Sequence, residues 1–328
     1  MTIPASFFMA RFGRRMGFLV AFLSGLAGAT LMILGIIGKD FLLFCSGGIL
    51  LGFLSAFGSY FRFAAADLLP SGRRSVAISF VLVGGVVAAL VGPNLVAWGS
   101  SFVQKPPLLS GFILLVPLYC FGLINVLMTP FASVQSTPWR HTRSMRELLR
   151  QTPLLHTISI GSIAYIAMAL IMTAAPLGLR HHHHSFSETA SLIQYHVLGM
   201  FAPSFFTGFL IRRYGIRRMV QMGAILMLFC ILAHIQGNSY VHFATGLILL
   251  GIGWNFMFVA ATTELAATIP AEDQPKAQAI NDFALAACTT ITVALTGGIH
   301  QHMGWESLNL AVLPLLLIAL FWSKSKLA

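Results

Sequence analysis

Charge is the scarcest property of this sequence. Asp, Glu, Lys and Arg together make up 9% of its 328 residues, and only nine of these residues are acidic. In a soluble chain, about a quarter of the residues are charged, and these residues cover the surface. A soluble globular fold is therefore excluded. Apolar residues take their place, because 57% of the sequence is hydrophobic.

Apolar runs recur along the whole chain, and each has about the 20 residues that an α-helix needs to cross a bilayer. They predict an all-α polytopic membrane protein. Its ten predicted full spans are 17–38, 41–63, 76–98, 108–130, 155–179, 190–211, 219–236, 240–263, 277–299 and 307–323. Proline and glycine inside these spans fit that interpretation, because membrane helices tolerate both.

Cysteine is also rare. The four cysteines stand alone in different apolar spans: Cys45, Cys120, Cys230 and Cys288. Such spacing gives no metal ligand set, and each cysteine is interpreted as a small buried hydrophobe. The sequence also lacks the G-x-x-x-x-G-K-[ST] motif of a nucleotide-binding loop. We therefore expect neither a metal nor a cofactor.

The positive charge is distributed unevenly along the chain. The net charge is +11, yet only Lys39, Lys105 and Arg180 lie outside alternate connections between spans. This is the positive-inside bias of membrane proteins, and it predicts that the basic turns and the C-terminus are cytoplasmic. The lipid bilayer accounts for the charge, so we expect no nucleic-acid partner.

A basic turn occurs twice. "ARFGRR" at 10–15 is echoed by "RRYGIRR" at 212–218, so that Gly13 and Gly215 stand 202 residues apart. Two connections further on, the turn that opens at Asp67 is matched by the turn that opens at Glu264. The pattern predicts a parallel repeat of two halves in the membrane.

The basic turns resemble the G-x-x-x-D-R-x-G-R-R motif that follows the second helix of each half in the major facilitator superfamily. The matching residues, which the resemblance assigns to gating, are Arg11, Gly13, Arg14 and Arg15 in the first copy and Gly208, Arg213, Gly215 and Arg217 in the second. The Asp that helps to latch the cytoplasmic gate in this family is replaced by Ala10 and Arg212. Gly92 and Pro93 are similar to the G-P pair of the fifth family helix.

The resemblance implies a major facilitator fold of two six-helix halves. Because the first basic turn lies so early, it also implies that helix 1 and most of helix 2 are missing here. The expected domains are an incomplete N-terminal half at 1–130, a cytoplasmic linker at 131–154 and a C-terminal half at 155–328. The segments 193–211, 250–265 and 276–283 resemble a bacterial branch of the family that includes riboflavin-importer-like members.

Ionisable residues inside a membrane span are costly, so each is a functional candidate. His196 is predicted to couple transport to protons, because imidazole titrates near neutral pH; the alternative is a neutral histidine satisfied by a neighbouring helix. Asp282 lies six residues past Lys276, about 9 Å along a helix. It is a second proton-coupling candidate, which could instead pair with Arg62 or form a structural hydrogen bond beside Asn281.

Aromatic and amide side chains in the spans are the candidates for binding a solute. Trp254 and Asn255 lie near the middle of a helix that lines the cavity in the resembled family, where they could stack on and hydrogen-bond a ring-shaped solute. Asn125, Tyr165 and Gln194 are further candidates. The alternative for the aromatic residues is simple packing between helices.

Two polar segments have plainer interpretations. The run "RHHHHSFSE" at 180–188 falls in an outer loop, and its consecutive histidines do not share one helix face, so we interpret it as a solvated loop and not as a metal site. In the linker, Arg140, Arg143, Arg146 and Arg150 would share one face of a helix between Pro138 and Pro153. That helix could lie on anionic lipid, although a plain basic linker explains the charge equally well.

The sequence thus predicts a secondary transporter of a small solute that works by alternating access, is coupled to protons and is a monomer in a bacterial inner membrane. The G-P pair favours export, whereas the narrower resemblance favours import. Two alternatives are a truncated fragment that does not transport and a membrane-embedded metal-dependent enzyme. A misassigned start codon would explain the early turn without either.

Overall fold

The computed structural model describes residues 2–102, 109–129, 131 and 143–322, and almost all of these residues are helical. The helices of the first part of the chain are α1 (Thr2–Gly38), α2 (Phe41–Gly58), α3 (Phe61–Asp67), α4 (Arg74–Phe102) and α5 (Leu109–Met128). Those of the second part are α6 (Met145–Leu148), α7 (Thr152–His181), α8 (Phe186–Phe201), α9 (Ser204–Tyr214), α10 (Ile216–Gln236), α11 (Tyr240–Thr268), α12 (Gln274–Leu310) and α13 (Leu313–Trp322). The prediction of an all-α membrane protein is confirmed.

Eight segments of the described residues are long and apolar enough to cross a membrane. The ten predicted spans differ from these eight for two reasons. The predicted span 190–211 is divided into α8 and α9 by a break at residues 202–203, so neither piece has the length of a full span. The last two predicted spans run together as Gln274–Phe321, because α12 continues through a break at Gly304, where φ is 76°.

Two compact units make up the chain. The first consists of Met1–Ala64, Leu90–Arg143 and Ala271–Ile280, and the second of Ala65–Ala89, Ser144–Pro270 and Asn281–Ala328. These units are defined by contacts and the predicted halves by a repeat in the sequence, so the boundaries of the halves stay a prediction.

In the first unit α1 is the central helix, since it packs against both α2 and α5. The rings of Phe18 and Phe61 stack with their centroids 4.0 Å apart. Large side chains on α2 and α5 point outward, and Phe41, Phe121 and Met128 are each more than two-thirds exposed. Exposed apolar side chains of this size are expected where a helix faces lipid instead of water.

In the second unit α11 is the central helix. It is buried along nearly its whole length and packs against α7, α8, α9 and α10. Apolar side chains such as Leu247, Leu250 and Met257 are fully buried in this core, and the polar side chain of Asn255 is buried among them.

The two units contain the same close helix contact. In the first, a Cβ atom placed on Gly28 of α1 would lie 2.8 Å from the carbonyl oxygen of Gly47 of α2, and one placed on Gly47 would lie 2.6 Å from that of Gly28. In the second, Gly223 of α10 and Gly253 of α11 are related in the same way, at 2.7 Å in both directions. No side chain fits between backbones this close, so small residues are required there.

Candidate functional site

An aromatic cluster surrounds Trp254 in the second unit. The indole of Trp254, on α11, is only 3% exposed. It stacks on Phe258 with centroids 4.7 Å apart, and it meets Tyr165 of α7 edge to face at 5.3 Å and Phe201 of α8 at 6.2 Å. Two predicted binding residues, Trp254 and Tyr165, are therefore in direct contact.

The indole nitrogen of Trp254 is a buried donor that has no acceptor within the described part of the chain. An indole Nε1–H can only donate, and a buried Trp usually finds an acceptor for it. Leaving such a group unpaired costs about 1–3 kcal/mol. The cluster thus combines flat apolar faces with one hydrogen-bond donor that is available to a bound molecule.

The side chain of Asn255, unlike the indole nitrogen of Trp254, is hydrogen-bonded to other described residues. Its Nδ2 donates to the carbonyl oxygen of Met200 and to the Oγ of Ser204, both at 2.7 Å, and its Oδ1 accepts from Thr207 at 2.7 Å. These partners flank the break between α8 and α9, where Pro203 offers no amide hydrogen. Asn255 therefore joins α11 to this break, and its predicted contact with solute stays a prediction.

His196 of α8 is buried against α11. The side chain is 1% exposed, and its Nδ1 lies 2.8 Å from the carbonyl oxygen of Leu247. Because a carbonyl only accepts, Nδ1 carries the hydrogen, and Nε2 is left as the acceptor nitrogen. Nε2 has no hydrogen-bond partner among the described residues.

Asp282, the second predicted proton-coupling residue, lies on α12 and is 7% exposed. Its Oδ1 accepts a hydrogen bond of 3.0 Å from the Nδ2 of Asn281, which is also buried. This bond joins two neighbouring residues of α12 and not two helices, so the proton role of Asp282 stays a prediction.

A buried pair that the sequence did not predict joins α7 to α11. The Nδ1 of His156 lies 3.0 and 2.9 Å from the two carboxylate oxygens of Glu264, and both side chains are buried. Glu264 was noted only as the start of a cytoplasmic turn. His156 is the second residue of the predicted span 155–179, and the rule that ionisable residues in a span are functional candidates would have selected it.

The remaining predicted binding residues are Asn125 and Gln194. Asn125 of α5 is exposed and belongs to the first unit, and its Nδ2 donates to the carbonyl oxygen of Phe121 one turn earlier, at 2.8 Å. Gln194 is half-buried on α8, two residues before His196.

The central glycines of the two basic turns, Gly13 and Gly215, share one backbone conformation. Gly13 has φ 85° and ψ 161°, and Gly215 has φ 85° and ψ 159°. This region is accessible to glycine almost alone. Each glycine ends one helical segment and begins the next, so the repeat seen in the sequence is also a repeat in backbone geometry.

The arginines of the first basic turn contact backbone oxygens. Arg14 Nη1 donates to the carbonyl of Tyr60 at 3.5 Å and Arg15 Nη2 to that of Leu127 at 2.6 Å, near the ends of α2 and α5. Arg11 lies over the ring of Phe12. Cations near the C-termini of helices are favourable, because carbonyl groups there are not paired within the helix.

The other gating residues have mixed surroundings. Arg213 lies over the ring of Tyr214, and Arg217 is exposed. Gly208 of α9 contacts α4 so closely that a Cβ atom there would lie 2.7 Å from the Ser75 carbonyl oxygen, and its own carbonyl accepts from the Ser75 hydroxyl at 3.0 Å. Gly92 and Pro93 lie within α4, which runs through both without a break.

The histidine run forms the connection between α7 and α8. His184 contacts the carbonyl oxygen of Asn238 at 2.9 Å, and Ser185 caps α8 through a reciprocal pair of bonds with Glu188. The amide and hydroxyl of Ser185 lower the pKa of the Glu188 carboxyl, and burial lowers that of His182. Among the described residues, no group of three His, Cys, Asp or Glu side chains is arranged to hold a metal.

The described part of the linker does not continue as one helix up to Pro153, because the helix in it covers only Met145–Leu148, and Arg143 and Arg150 lie outside it. Residues 132–142, which include Arg140, lie outside the described residues. From Ser144 the chain forms the short helix α6, and Arg143 contacts Asp273 through its backbone amide at 2.9 Å and its Nε at 3.6 Å.

The class of protein follows from these features: a repeated set of apolar helices, with a glycine turn in each copy and buried polar groups between helices, defines a multi-pass membrane transporter. The sequence model of the Major Facilitator Superfamily matches residues 157–326. The chain is 36% identical over 322 residues to the riboflavin transporter RfnT of Brucella anthropi, covering 97% of this chain and 81% of that protein. YddS of Bacillus subtilis, an uncharacterized transporter of the Major Facilitator Superfamily type, is 30% identical to this chain. The match covers 94% of this chain and 75% of YddS.

Two solved structures share the fold. The fucose:proton symporter FucP of E. coli has a TM-score of 0.73 at 14% identity, over 99% of this chain and 87% of that chain. The human organic anion transporter MFSD10 has a TM-score of 0.75 at 15% identity, over 98% and 80%. The chain belongs to the Major Facilitator Superfamily and is a membrane transporter of a small solute, as the resemblance of its basic turns implied.

Proposed function

We propose that the protein transports riboflavin, or a flavin with the same ring system, across the bacterial inner membrane by alternating access. The observation that carries this proposal is the 36% identity to a riboflavin transporter along 97% of the chain. The aromatic cluster around Trp254 supports it, because a flat heterocycle stacks well on aromatic faces.

Within this cluster, Trp254 is the residue proposed to bind the solute. Its unpaired indole N–H would donate to a ring carbonyl, while Phe258 and Tyr165 hold the indole plane in position. Asn255 is proposed to act by fixing the break between α8 and α9, since its amide is already engaged. Gln194 and Asn125 remain weaker candidates for contacting the solute.

Uptake tests the substrate and the residue together. In cells that cannot synthesise riboflavin, expression of the protein should restore growth at low external riboflavin. Trp254→Phe keeps an aromatic ring and removes the N–H, so we expect the KM for uptake to rise about fivefold to tenfold, as the loss of one hydrogen bond predicts. Trp98→Ala, at an exposed tryptophan of α4, is the matched control and should leave the KM unchanged.

Two results would contradict this proposal. If the protein restored no growth while its membrane expression was normal, riboflavin would not be the substrate. If Trp254→Phe and Trp98→Ala behaved alike, the cluster around Trp254 would not bind the solute.

Proton coupling is proposed to run through His196, with Asp282 as the second candidate. Nε2 of His196 is a buried acceptor with no partner among the described residues, so it can take up a proton without first losing a hydrogen bond. On α11, the helix that packs on it, His242 and Tyr240 are the titratable residues nearest to Leu247 in sequence, and Glu264 lies near the other end.

The pH dependence of uptake tests the coupling. Uptake by the unaltered protein should be faster at an external pH of about 6 than at about 8, because the lower external pH supplies more protons to a proton-coupled importer. His196→Ala should abolish this difference, whereas His302→Ala, at an exposed histidine of α12, should keep it. An unchanged pH profile in both His196→Ala and Asp282→Asn would refute coupling through these residues.

A further inference from the structure

An apolar groove of about 720 Å³ lies on the second unit, between the end of α3, the start of α4, and α9. Four large side chains in its wall are strongly exposed: Leu68 (56%), Leu69 (38%), Phe80 (53%) and Phe209 (49%). The rings of Phe80 and Phe209 meet edge to face, with centroids 6.4 Å apart. The groove thus offers a preformed apolar surface that the described residues leave exposed.

Two arginines, Arg73 and Arg212, also line this groove, and no acidic residue does. Both are exposed. Within the described part of the chain, neither guanidinium forms a hydrogen bond, ion pair or ring contact. Arg73 immediately precedes the first residue of α4, where the helix dipole adds positive potential. The charge that lines the groove is therefore positive.

The combination selects one kind of occupant. A long apolar wall with two guanidinium groups at one end matches a molecule that has an apolar body and a single anionic head. Arginine binds phosphate well, because its planar fork of N–H groups fits two phosphate oxygens. A soluble anion would use the arginines and leave the phenylalanines exposed, whereas a neutral lipid would leave the arginines without a partner.

We propose that this groove binds an anionic glycerophospholipid of the surrounding membrane. Its phosphate lies between Arg73 and Arg212, and its acyl chains lie against Leu68, Phe80 and Phe209. Basic pockets between membrane helices are known to hold anionic headgroups in this way. The lipid site is independent of the solute that is transported, because none of its residues belongs to the cluster around Trp254.

Native mass spectrometry of the purified full chain tests this site. The protein is exchanged from detergent into mixtures that contain either phosphatidylglycerol or phosphatidylcholine, and bound lipid is counted per chain. We expect phosphatidylglycerol to be retained about tenfold more than phosphatidylcholine, as two arginine contacts predict. The double variant Arg73→Gln, Arg212→Gln should remove this preference.

The matched control removes two exposed arginines that are remote from the groove in sequence. Arg146→Gln, Arg150→Gln makes the same change in charge on and beside α6 and should keep the preference for phosphatidylglycerol. A second variant, Phe80→Gln, alters an exposed side chain and should reduce the retention of both lipids. Excess inorganic phosphate should not displace the bound phosphatidylglycerol.

Three results would overturn the lipid site. The first is equal retention in the groove variant and in the control. The second is displacement by inorganic phosphate, which would indicate a site for a free anion. The third is a two-chain species whose formation requires Arg73 and Arg212, which would mean that a second copy of the chain covers the groove.

Discussion

Asn255 shows how much one side chain can hold together inside the membrane. Its amide bonds three groups on either side of the break between α8 and α9. Where water is absent, a backbone carbonyl exposed by a break must find another donor, and the side chain of a neighbouring helix can supply it.

We expect Asn255→Ala to lower the free energy of unfolding by about 1–2 kcal/mol, because the carbonyl of Met200 and the hydroxyl of Ser204 lose a partner. Asn125→Ala is the matched control, since that amide is exposed and bonds only its own helix; it should change stability by less than about 0.5 kcal/mol. Denaturant unfolding in detergent measures both. Equal losses in the two variants would contradict the joining role of Asn255.

Breaking the pair of His156 and Glu264 is expected to lower the free energy of unfolding more than Asn255→Ala does. Removing one partner of a buried pair leaves a buried polar group uncompensated, so Glu264→Ala should cost about 3–5 kcal/mol. Glu272→Ala, at an exposed position near the start of α12, should cost less than about 0.5 kcal/mol.

The double variant His156→Ala, Glu264→Ala sharpens the same test. It should recover part of the loss, because no buried polar group is then left without the partner it had, and the difference measures the coupling between the two residues. A double variant that loses the sum of the single losses would show that the two side chains act independently.

At the scale of single residues, the sequence predicted which side chains are candidates but not which partners they contact. Trp254, Tyr165 and His196 were selected because aromatic and ionisable groups in a span are costly or specific. In the structure Trp254 and His196 are buried and Tyr165 is half-buried. The partner of each group was out of reach, because Leu247 is 51 residues from His196 in the chain. Asn125 and Asn255 look alike in sequence, yet one bonds its own helix and the other bonds its neighbours.

The elements of this fold are set by where apolar helices stop. Asp40 caps α2 through the amide of Leu43 at 3.1 Å, and Ser185 caps α8. The break at residues 202–203 and the turn at Gly304 were not predicted, because the hydropathy of a 20-residue window averages over a local interruption. Pro203 was visible in the sequence, but a proline in a membrane helix can be accommodated without breaking it.

The positive-φ glycines of the two basic turns, Gly13 and Gly215, give a prediction about how helical segments are joined. Gly13→Ala and Gly215→Ala should each destabilise the protein by about 1–3 kcal/mol, because a Cβ atom is strained in this backbone region whatever space surrounds it. Nothing lies within 4 Å of either Cβ position, so the strain comes from the backbone alone. Gly52→Ala, in the middle of α2 and also in open space, should be neutral or slightly stabilising.

Thermal unfolding of the three variants gives the comparison. The losses in Gly13→Ala and Gly215→Ala should be similar in size, since their φ and ψ angles agree within a few degrees. A loss at Gly52 that equals those at the other two positions would mean that the turn geometry is not the cause.

For the whole molecule, the basic connections predict the orientation in the membrane. With the native cysteines replaced, a single cysteine at His183, in the connection after α7, should react with an impermeant maleimide added to intact cells. A cysteine at Glu272, in the connection before α12, should react only after the membrane is opened. The reverse pattern would mean that the basic turns and the C-terminus face outward.

The family and the helical architecture could be predicted from the sequence because both depend on features that recur, namely apolar length and a repeated turn. The contacts could not. Residues 65–89 pack within the second unit although they belong to the first half of the chain, and no periodicity within one helix states which neighbour it will choose.

The glycine contacts have a mechanical consequence. Gly28 and Gly47 in one unit, like Gly223 and Gly253 in the other, bring two backbones so close that sliding either helix along its partner would drive a carbonyl oxygen into an α-carbon. Each glycine pair therefore resists sliding between its two helices. We expect α1 with α2, and α10 with α11, to move as rigid pairs. Any bending between helical segments is then expected where the described backbone is interrupted, as at Gly13, Gly215, Gly304 and the break beside Pro203.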